Sequence, residues 1–109
     1  MKIKNSVNIL GTEYKIIGAK DTPKLRDLAG YIEVWAKEIV YDAELTKNKD
    51  DKCSKKTGEC LKQVMRHEIM HAFYHEAGAS QYGDDENLVE MMAILIPKIV
   101  KAMKEVNVL

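Results

Sequence analysis

Hydrophobic and polar residues alternate over much of the first forty positions, a pattern typical of β-strands. Val7 and Ile9 have polar neighbours, Gly11-Thr12 can turn the chain, and the apolar pattern resumes at Tyr14, which predicts a hairpin. The stretch YIEVWAKEIVYD, residues 31–42, is rich in β-branched and aromatic residues and has a reversal point near its centre. It predicts a second hairpin.

Thr22-Pro23, between the hairpins, predicts a short helical turn, because threonine caps helices and proline fits their first position. From about Thr57 the period becomes helical, with a stop predicted at Gly78. After a short loop, Asp84-Asp85 would cap a second helix running to about residue 106. Pro97 is expected to bend or split that helix, because it lacks a backbone donor.

The length of 109 residues predicts a single domain, 1–109. Hairpins followed by helices place it in the α+β class. Lys plus Arg and Asp plus Glu number 17 each, so no overall basic field indicates a nucleic-acid partner. The N-terminus lacks the apolar core of a signal peptide, and no apolar stretch is long enough to span a bilayer. We therefore expect a cytoplasmic protein without membrane contact.

Residues 46–56, TKNKDDKCSKK, are almost wholly polar and predict a solvated loop. Cys53 and Cys60 are the only cysteines, and their spacing matches no common zinc knuckle. In a reducing compartment they are expected to be free thiols.

All three histidines fall within nine positions, in RHEIMHAFYHEAG, residues 66–78. His67 and His71 belong to an HExxH motif inside the predicted helix, where residues four apart share a face, so both imidazoles can reach one metal ion. Glu68 is rotated by about 100° from His67, so it suits a general base beside the ion rather than a ligand. The competing interpretation is a polar stripe on an amphipathic helix, which would explain a lone histidine better than this pair.

His75 lies about 12 Å along the helix axis from His67, too far for both rings to bind one ion. It is expected to be an ordinary polar residue or to support the site indirectly. A catalytic zinc site with two histidines needs a third protein ligand, often Glu. Glu86 and Glu90, four apart on the second helix, are the candidates, and Glu90, within the apolar run LVEMMAILI, is the one expected to be buried.

HExxH on one helix followed by ExxxE on the next resembles the gluzincin pattern HExxH…ExxxD. Most of the chain resembles the small zincins of phages and mobile elements related to the ImmA/IrrE group. The resemblance implies a minimal zincin-like fold, with a small antiparallel sheet packed on the HExxH helix and a second Glu-bearing helix. It also implies Glu86 as the third zinc ligand and Glu90 as a hydrogen-bond partner of a ligand histidine. Glu90 is one methylene longer than the usual Asp.

The expected function is that of a zinc-dependent peptidase acting on a peptide or protein. Zinc held by His67, His71 and Glu86 would activate a water molecule, and Glu68 would accept its proton. Tyr82 is a weak candidate for stabilising the oxyanion. The alternative is a non-catalytic zinc-binding or adaptor domain that keeps the fold, which the small size favours and the intact Glu68 disfavours. The oligomeric state does not follow from the sequence.

Overall fold

The part of the chain that the structure describes folds into four strands followed by three helices. The structure is a computed structural model, and it describes residues 3–20, 22–26, 28–44 and 58–109. The strands are β1 (Ser6–Ile9), β2 (Thr12–Ala19), β3 (Gly30–Glu33) and β4 (Glu38–Asp42), and a 3₁₀ turn covers Lys24–Arg26. The helices are α1 (Glu59–Glu76), α2 (Ser80–Gly83) and α3 (Glu86–Glu105). The predicted α+β class is confirmed.

The sheet has the order β1-β2-β4-β3 and is mixed. Both predicted hairpins are present, as the antiparallel pairs β1–β2 and β3–β4, but the central pair β2–β4 is parallel. The expectation of a purely antiparallel sheet was therefore wrong. The more buried strand β4, with Ile39 and Val40, takes the central place beside β2, and β3 is left at the edge. Since the chain reverses twice between β2 and β4, these two neighbours run in the same direction.

Helix α1 packs on one face of the sheet, and the core lies between them. The buried residues of this core come from both layers: Ile9, Tyr14, Ile39, Leu61, Met65 and Ala72. Helix α3 packs on α1 through Val89 and Ala93, which are fully buried. None of the described helices is long and apolar enough to cross a membrane.

The predicted helix ends are confirmed. Gly78 follows α1 with a φ of 75°, and its N–H donates to the His75 carbonyl while the Ala79 N–H donates to the Tyr74 carbonyl. The Asp85 side chain accepts hydrogen bonds from the backbone N–H groups of Asn87 and Leu88 at the start of α3. The Thr22 hydroxyl likewise accepts from the Leu25 N–H, 3.2 Å away.

The expected loop after Gly78 contains the short helix α2, which the sequence did not predict. Of the two outcomes expected at Pro97, a bend or a split, the split does not occur, because α3 is continuous from Glu86 to Glu105.

Cys60 is disulfide-bonded, so the expectation of two free thiols was wrong. Cys53, the other cysteine of the sequence, and the polar segment 46–56 lie outside the described residues.

Candidate metal site

The two histidines of the HExxH motif and Glu86 meet at one point between α1 and α3. His67 Nε2 lies 3.1 Å from His71 Nε2. The two carboxylate oxygens of Glu86 lie 2.9 Å from His67 Nε2 and 3.1 Å from His71 Nε2. Among the described residues, these three form a group whose donor atoms are close enough to hold one metal ion.

The other ring nitrogen of each histidine is held by a hydrogen-bond acceptor. His71 Nδ1 lies 2.6 Å from the carbonyl oxygen of Gly83. A carbonyl only accepts, so Nδ1 carries a proton and Nε2 is the ring nitrogen left to bind a metal. His67 Nδ1 lies 2.6 Å from Glu90 Oε2, which orients this ring in the same way.

Two imidazole lone pairs and a carboxylate that face one another at about 3 Å repel unless positive charge lies between them. Protons on the imidazoles would supply that charge, and so would one divalent cation, which leaves the histidines in the neutral form that binds metals. In a tetrahedral zinc site with bonds of about 2.05 Å, ligand atoms lie roughly 3.3 Å apart. The two histidine nitrogens lie 3.1 Å apart, close to that value, and each oxygen of Glu86 lies 2.9–3.1 Å from one of the two rings. The donor types are those that zinc prefers, and one ligand atom from each residue can be chosen so that all three lie within 4.8 Å of one another.

Glu90 supports the cluster without belonging to it. Its second oxygen accepts a hydrogen bond of 2.8 Å from the Gln63 amide, so both oxygens are engaged. The Glu90 side chain is nevertheless 47% exposed, so the expectation that it would be buried was wrong. The apolar run around it is covered on one side only, because Met91, Ile94 and Leu95 are exposed.

Glu68 lies beside the cluster. Among the described residues it is the charged one that is buried, with 6% of its surface exposed. Burial raises its pKa from the usual 4.5 to about 7, an effect that His67 opposes and that the carboxylates of Glu86 and Glu90 reinforce. A divalent cation in the cluster would lower this pKa, because it stabilises the charged form. The pKa of Glu68 therefore depends on the charge that the cluster holds.

A cleft of about 1020 Å³ opens beside the cluster, between α1 and the edge strand β3. Residues 28–32 and Val34 form one wall, and His67, Glu68 and His71 line the other. Gly30 allows the close approach of the two walls: a Cβ there would lie 2.8 Å from Val64 Cγ1 and 3.6 Å from Glu68 Cγ. Among the described strands β3 is at the edge of the sheet, and its residues 30–32 line the cleft beside the candidate site.

The remaining candidates occupy other positions. His75 lines the cleft but is not part of the three-residue cluster, and it lies edge-on to Trp35 with ring centroids 6.5 Å apart. Tyr82 contacts Tyr74, with ring centroids 6.2 Å apart, and is not among the described residues that line the cleft.

No family model, curated protein or solved structure matches this chain. The interpretation of the site therefore rests on its geometry.

Two supporting groups were not predicted from the sequence. Gln63 lies one turn before His67 on the same helix face, so a search at four-residue spacing would have found it. The Gly83 carbonyl had no such signal, because a backbone acceptor carries no side-chain pattern. A Cβ at Gly83 would lie 3.0 Å from Tyr74 Cβ, so glycine allows α2 to approach α1 closely enough to reach His71.

Proposed function

We propose that the chain is a zinc-dependent peptidase of the gluzincin type, with zinc held by His67, His71 and Glu86. The observation that carries this proposal is the convergence of three donor atoms beside a buried carboxylate at the wall of an open cleft. Bound zinc would polarise a scissile carbonyl and make a water molecule more acidic.

The protein residues have separate roles in the proposed reaction. Glu68 accepts a proton from the attacking water and transfers it to the leaving amine. Glu90 and the Gly83 carbonyl hold the two imidazoles in the tautomer that exposes Nε2. Gln63 keeps the Glu90 carboxylate in place.

The edge strand β3 supplies a binding mode for the substrate. It is the edge strand of the described sheet and its residues 30–32 line the cleft, so an extended peptide could add to the sheet there through main-chain hydrogen bonds. That position brings a peptide carbonyl next to Glu68 and the histidines. An unfolded segment of a protein is the substrate class that fits, because main-chain pairing requires an extended backbone.

The alternative, a metal-binding adaptor without activity, is less well supported. Its main argument was that a small protein leaves little room for a substrate, whereas the cleft of about 1020 Å³ is large enough for a peptide segment. A purely structural metal also has no use for a buried carboxylate beside it, which costs free energy.

Metal content and proteolysis together test the proposal. Protein purified without chelator should contain one zinc per chain by elemental analysis and should cleave a labelled, unfolded protein. Chelator should abolish cleavage, and added zinc should restore it. Protein that binds zinc stoichiometrically but cleaves no unfolded substrate would support a non-catalytic zinc-binding domain. Protein that binds no zinc would contradict the peptidase and support a metal-free adaptor.

A further inference from the structure

Trp35, the sole tryptophan of the sequence, is 91% exposed. It lies in the turn, residues 34–37, that joins β3 to β4. A side chain left in water contributes almost no hydrophobic stabilisation, so the fold gains little from this ring. Binding surfaces are enriched in tryptophan, because a large rigid ring offers much contact area at a low cost in conformational entropy.

The turn that carries Trp35 is held against the end of α1. Lys37, in the same turn, donates a hydrogen bond of 2.7 Å to Glu76, and its carbonyl accepts one of 2.9 Å from the Lys15 N–H. The Trp35 ring lies edge-on to His75, with ring centroids 6.5 Å apart. Since the turn is already fixed, a ligand that packs on Trp35 loses little free energy in ordering it.

Trp35 stands where the cleft ends. Gly30 lies close to Glu68, since a Cβ there would be 3.6 Å from Glu68 Cγ, and Trp35, five residues further on, lies beside His75, seven residues further on. Strand β3 and helix α1 therefore run in the same direction along the cleft. Val34 and His75 line the cleft, and Trp35 adjoins both. At about 3.3 Å per residue, Trp35 is at most about 16 Å from Gly30.

The chemistry of the cleft wall on the strand side indicates what Trp35 would contact. Residues 28–32 and Val34 form this wall and include no charged side chain. The carboxylates that line the cleft belong to the helical side, from residue 59 onward. An indole and an imidazole at the end of an uncharged wall favour a large apolar side chain, because a charged one would lose hydration there. Unfolded segments expose such side chains, which folded proteins bury.

We propose that Trp35 and His75 form a subsite that holds a large apolar side chain of an extended peptide, about five residues from the bond that lies beside Glu68. The spacing follows from the distance between Gly30 and Trp35 and from the same rise per residue in the peptide. The subsite rests on the proposed peptidase function for its substrate, but it concerns binding and not bond cleavage. It also gives a role to His75, which is outside the metal cluster.

The fluorescence of Trp35 tests the subsite directly, because the sequence has no other tryptophan. The probe is an unfolded, tryptophan-free protein, added to the zinc-loaded Glu68→Gln variant so that it is bound without being cleaved. We expect the emission to shift to shorter wavelength and quenching by iodide to decrease, since the ring leaves water. Unchanged emission and quenching would overturn the proposal.

Trp35→Ala tests the contribution of the ring to substrate binding. We expect KM for an unfolded protein to rise about tenfold and kcat to change less than about threefold, because the contact lies far from the reacting bond. Zinc content and melting temperature should not change, since the ring is exposed. Trp35→Phe should restore most of the affinity. Leu10→Ala is the matched control, because Leu10 is 60% exposed in the turn of the other hairpin and is not among the described residues that line the cleft.

The positions of the cleaved bonds separate this proposal from the peptidase itself. Mass spectrometry of the products should show large apolar side chains enriched about five residues from the cleaved bond with wild-type protein, and no such enrichment with Trp35→Ala. Cleavage without this enrichment, or with charged side chains enriched instead, would overturn the subsite and leave the peptidase proposal intact. A fluorescence shift without any cleavage by the wild-type protein would support the subsite and contradict the peptidase.

Discussion

Glu68 and His67 are adjacent in the sequence but have different surroundings. His67 is one of the three residues of the cluster, whereas the Glu68 side chain is buried against the edge strand near Gly30. The 100° rotation between successive helical residues produces this division. The proposed ligand and the proposed base therefore come from one short motif without competing for the same position.

Glu68→Gln tests that division. The amide cannot accept a proton, so we expect hydrolysis to fall by about 10²–10⁴-fold while one zinc per chain is retained. Elemental analysis and cleavage of an unfolded protein measure the two properties separately. Loss of zinc in this variant would make Glu68 a ligand and contradict the mechanism.

Glu86 and Glu90 both contact His67, but on opposite sides of the ring. Glu86→Gln removes an anionic donor at the Nε2 side and should abolish most of the zinc affinity. Glu90→Gln keeps an acceptor for Nδ1–H and should cost about 10–100-fold. Competition titration with a zinc chelator measures both. The reverse order of the two losses would assign the third ligand to Glu90.

His75→Ala provides the corresponding test on α1. His75 lies one turn beyond His71 and outside the metal cluster, so zinc affinity should change less than threefold, whereas His71→Ala should abolish binding. The same titration applies to both variants. A tenfold loss in His75→Ala, about 1.4 kcal/mol, would show that His75 supports the metal.

At the scale of elements, α2 links the C-terminal end of α1 to the candidate metal site. This helix of four residues packs on α1, and its last residue, Gly83, is buried and accepts from His71 Nδ1. The position of the carbonyl depends on how closely α2 approaches Tyr74. The orientation of a proposed ligand is thus controlled by packing between two helices.

Gly83→Ala should therefore affect zinc affinity without changing any donor atom. The added Cβ would lie 3.0 Å from Tyr74 Cβ and would push α2 outward, at a cost of about 1–3 kcal/mol in stability. We expect roughly tenfold weaker zinc binding, as for other losses of a ligand's hydrogen-bond partner. Ser80→Ala, in the same helix, is the control. Unchanged affinity in Gly83→Ala would mean that this carbonyl does not matter to the site.

At the scale of the whole molecule, one carboxylate joins the end of α1 to both hairpins. Glu76 accepts hydrogen bonds from Lys37 Nζ at 2.7 Å, from the Tyr14 hydroxyl at 2.6 Å and from the Thr12 hydroxyl at 3.1 Å. The hydrogen bond from Lys37, followed by that from Tyr14, lowers the pKa of Glu76 from 4.5 to about 2. Burial, together with Glu76, raises the pKa of Tyr14, which stays a donor.

This depressed pKa makes the stability depend on pH. In the folded protein Glu76 stays ionised down to about pH 2, whereas in the unfolded chain it is protonated near pH 4.5. Ionised Glu76 therefore stabilises the fold fully above pH 4.5, and this stabilisation is lost as the pH falls from 4.5 to about 2. Glu76→Gln should lower the melting temperature at pH 6, and the difference from wild type should shrink as the pH falls towards 2. Melts in chelator exclude metal effects, and Glu13→Gln on the exposed face of β2 is the control. A difference that stays constant with pH would contradict this account.

Much of the fold and part of the site follow from the sequence, because they depend on neighbours along the chain. The four-residue spacing of His67 and His71 places both rings on one face of α1, and Asp85 caps α3 with its own side chain. Both hairpins were likewise predicted from alternation and turn residues, since each joins consecutive strands. The proposed role of Glu86 came from a family resemblance and stays a prediction, and its two oxygens lie 2.9 and 3.1 Å from the two histidine rings.

Tertiary structure alone decided the features that join distant segments. The parallel pairing of β2 with β4 depends on which strand of the second hairpin is better buried, and the Gly83 carbonyl reaches His71 only because two helices pack closely. Glu90 is half exposed because α1 covers only one side of α3. The disulfide at Cys60 was not predicted, because the expectation of free thiols came from an assumed reducing compartment and not from distances in the fold. Local periodicity determines which residues share a face of an element, whereas packing between elements determines what that face meets.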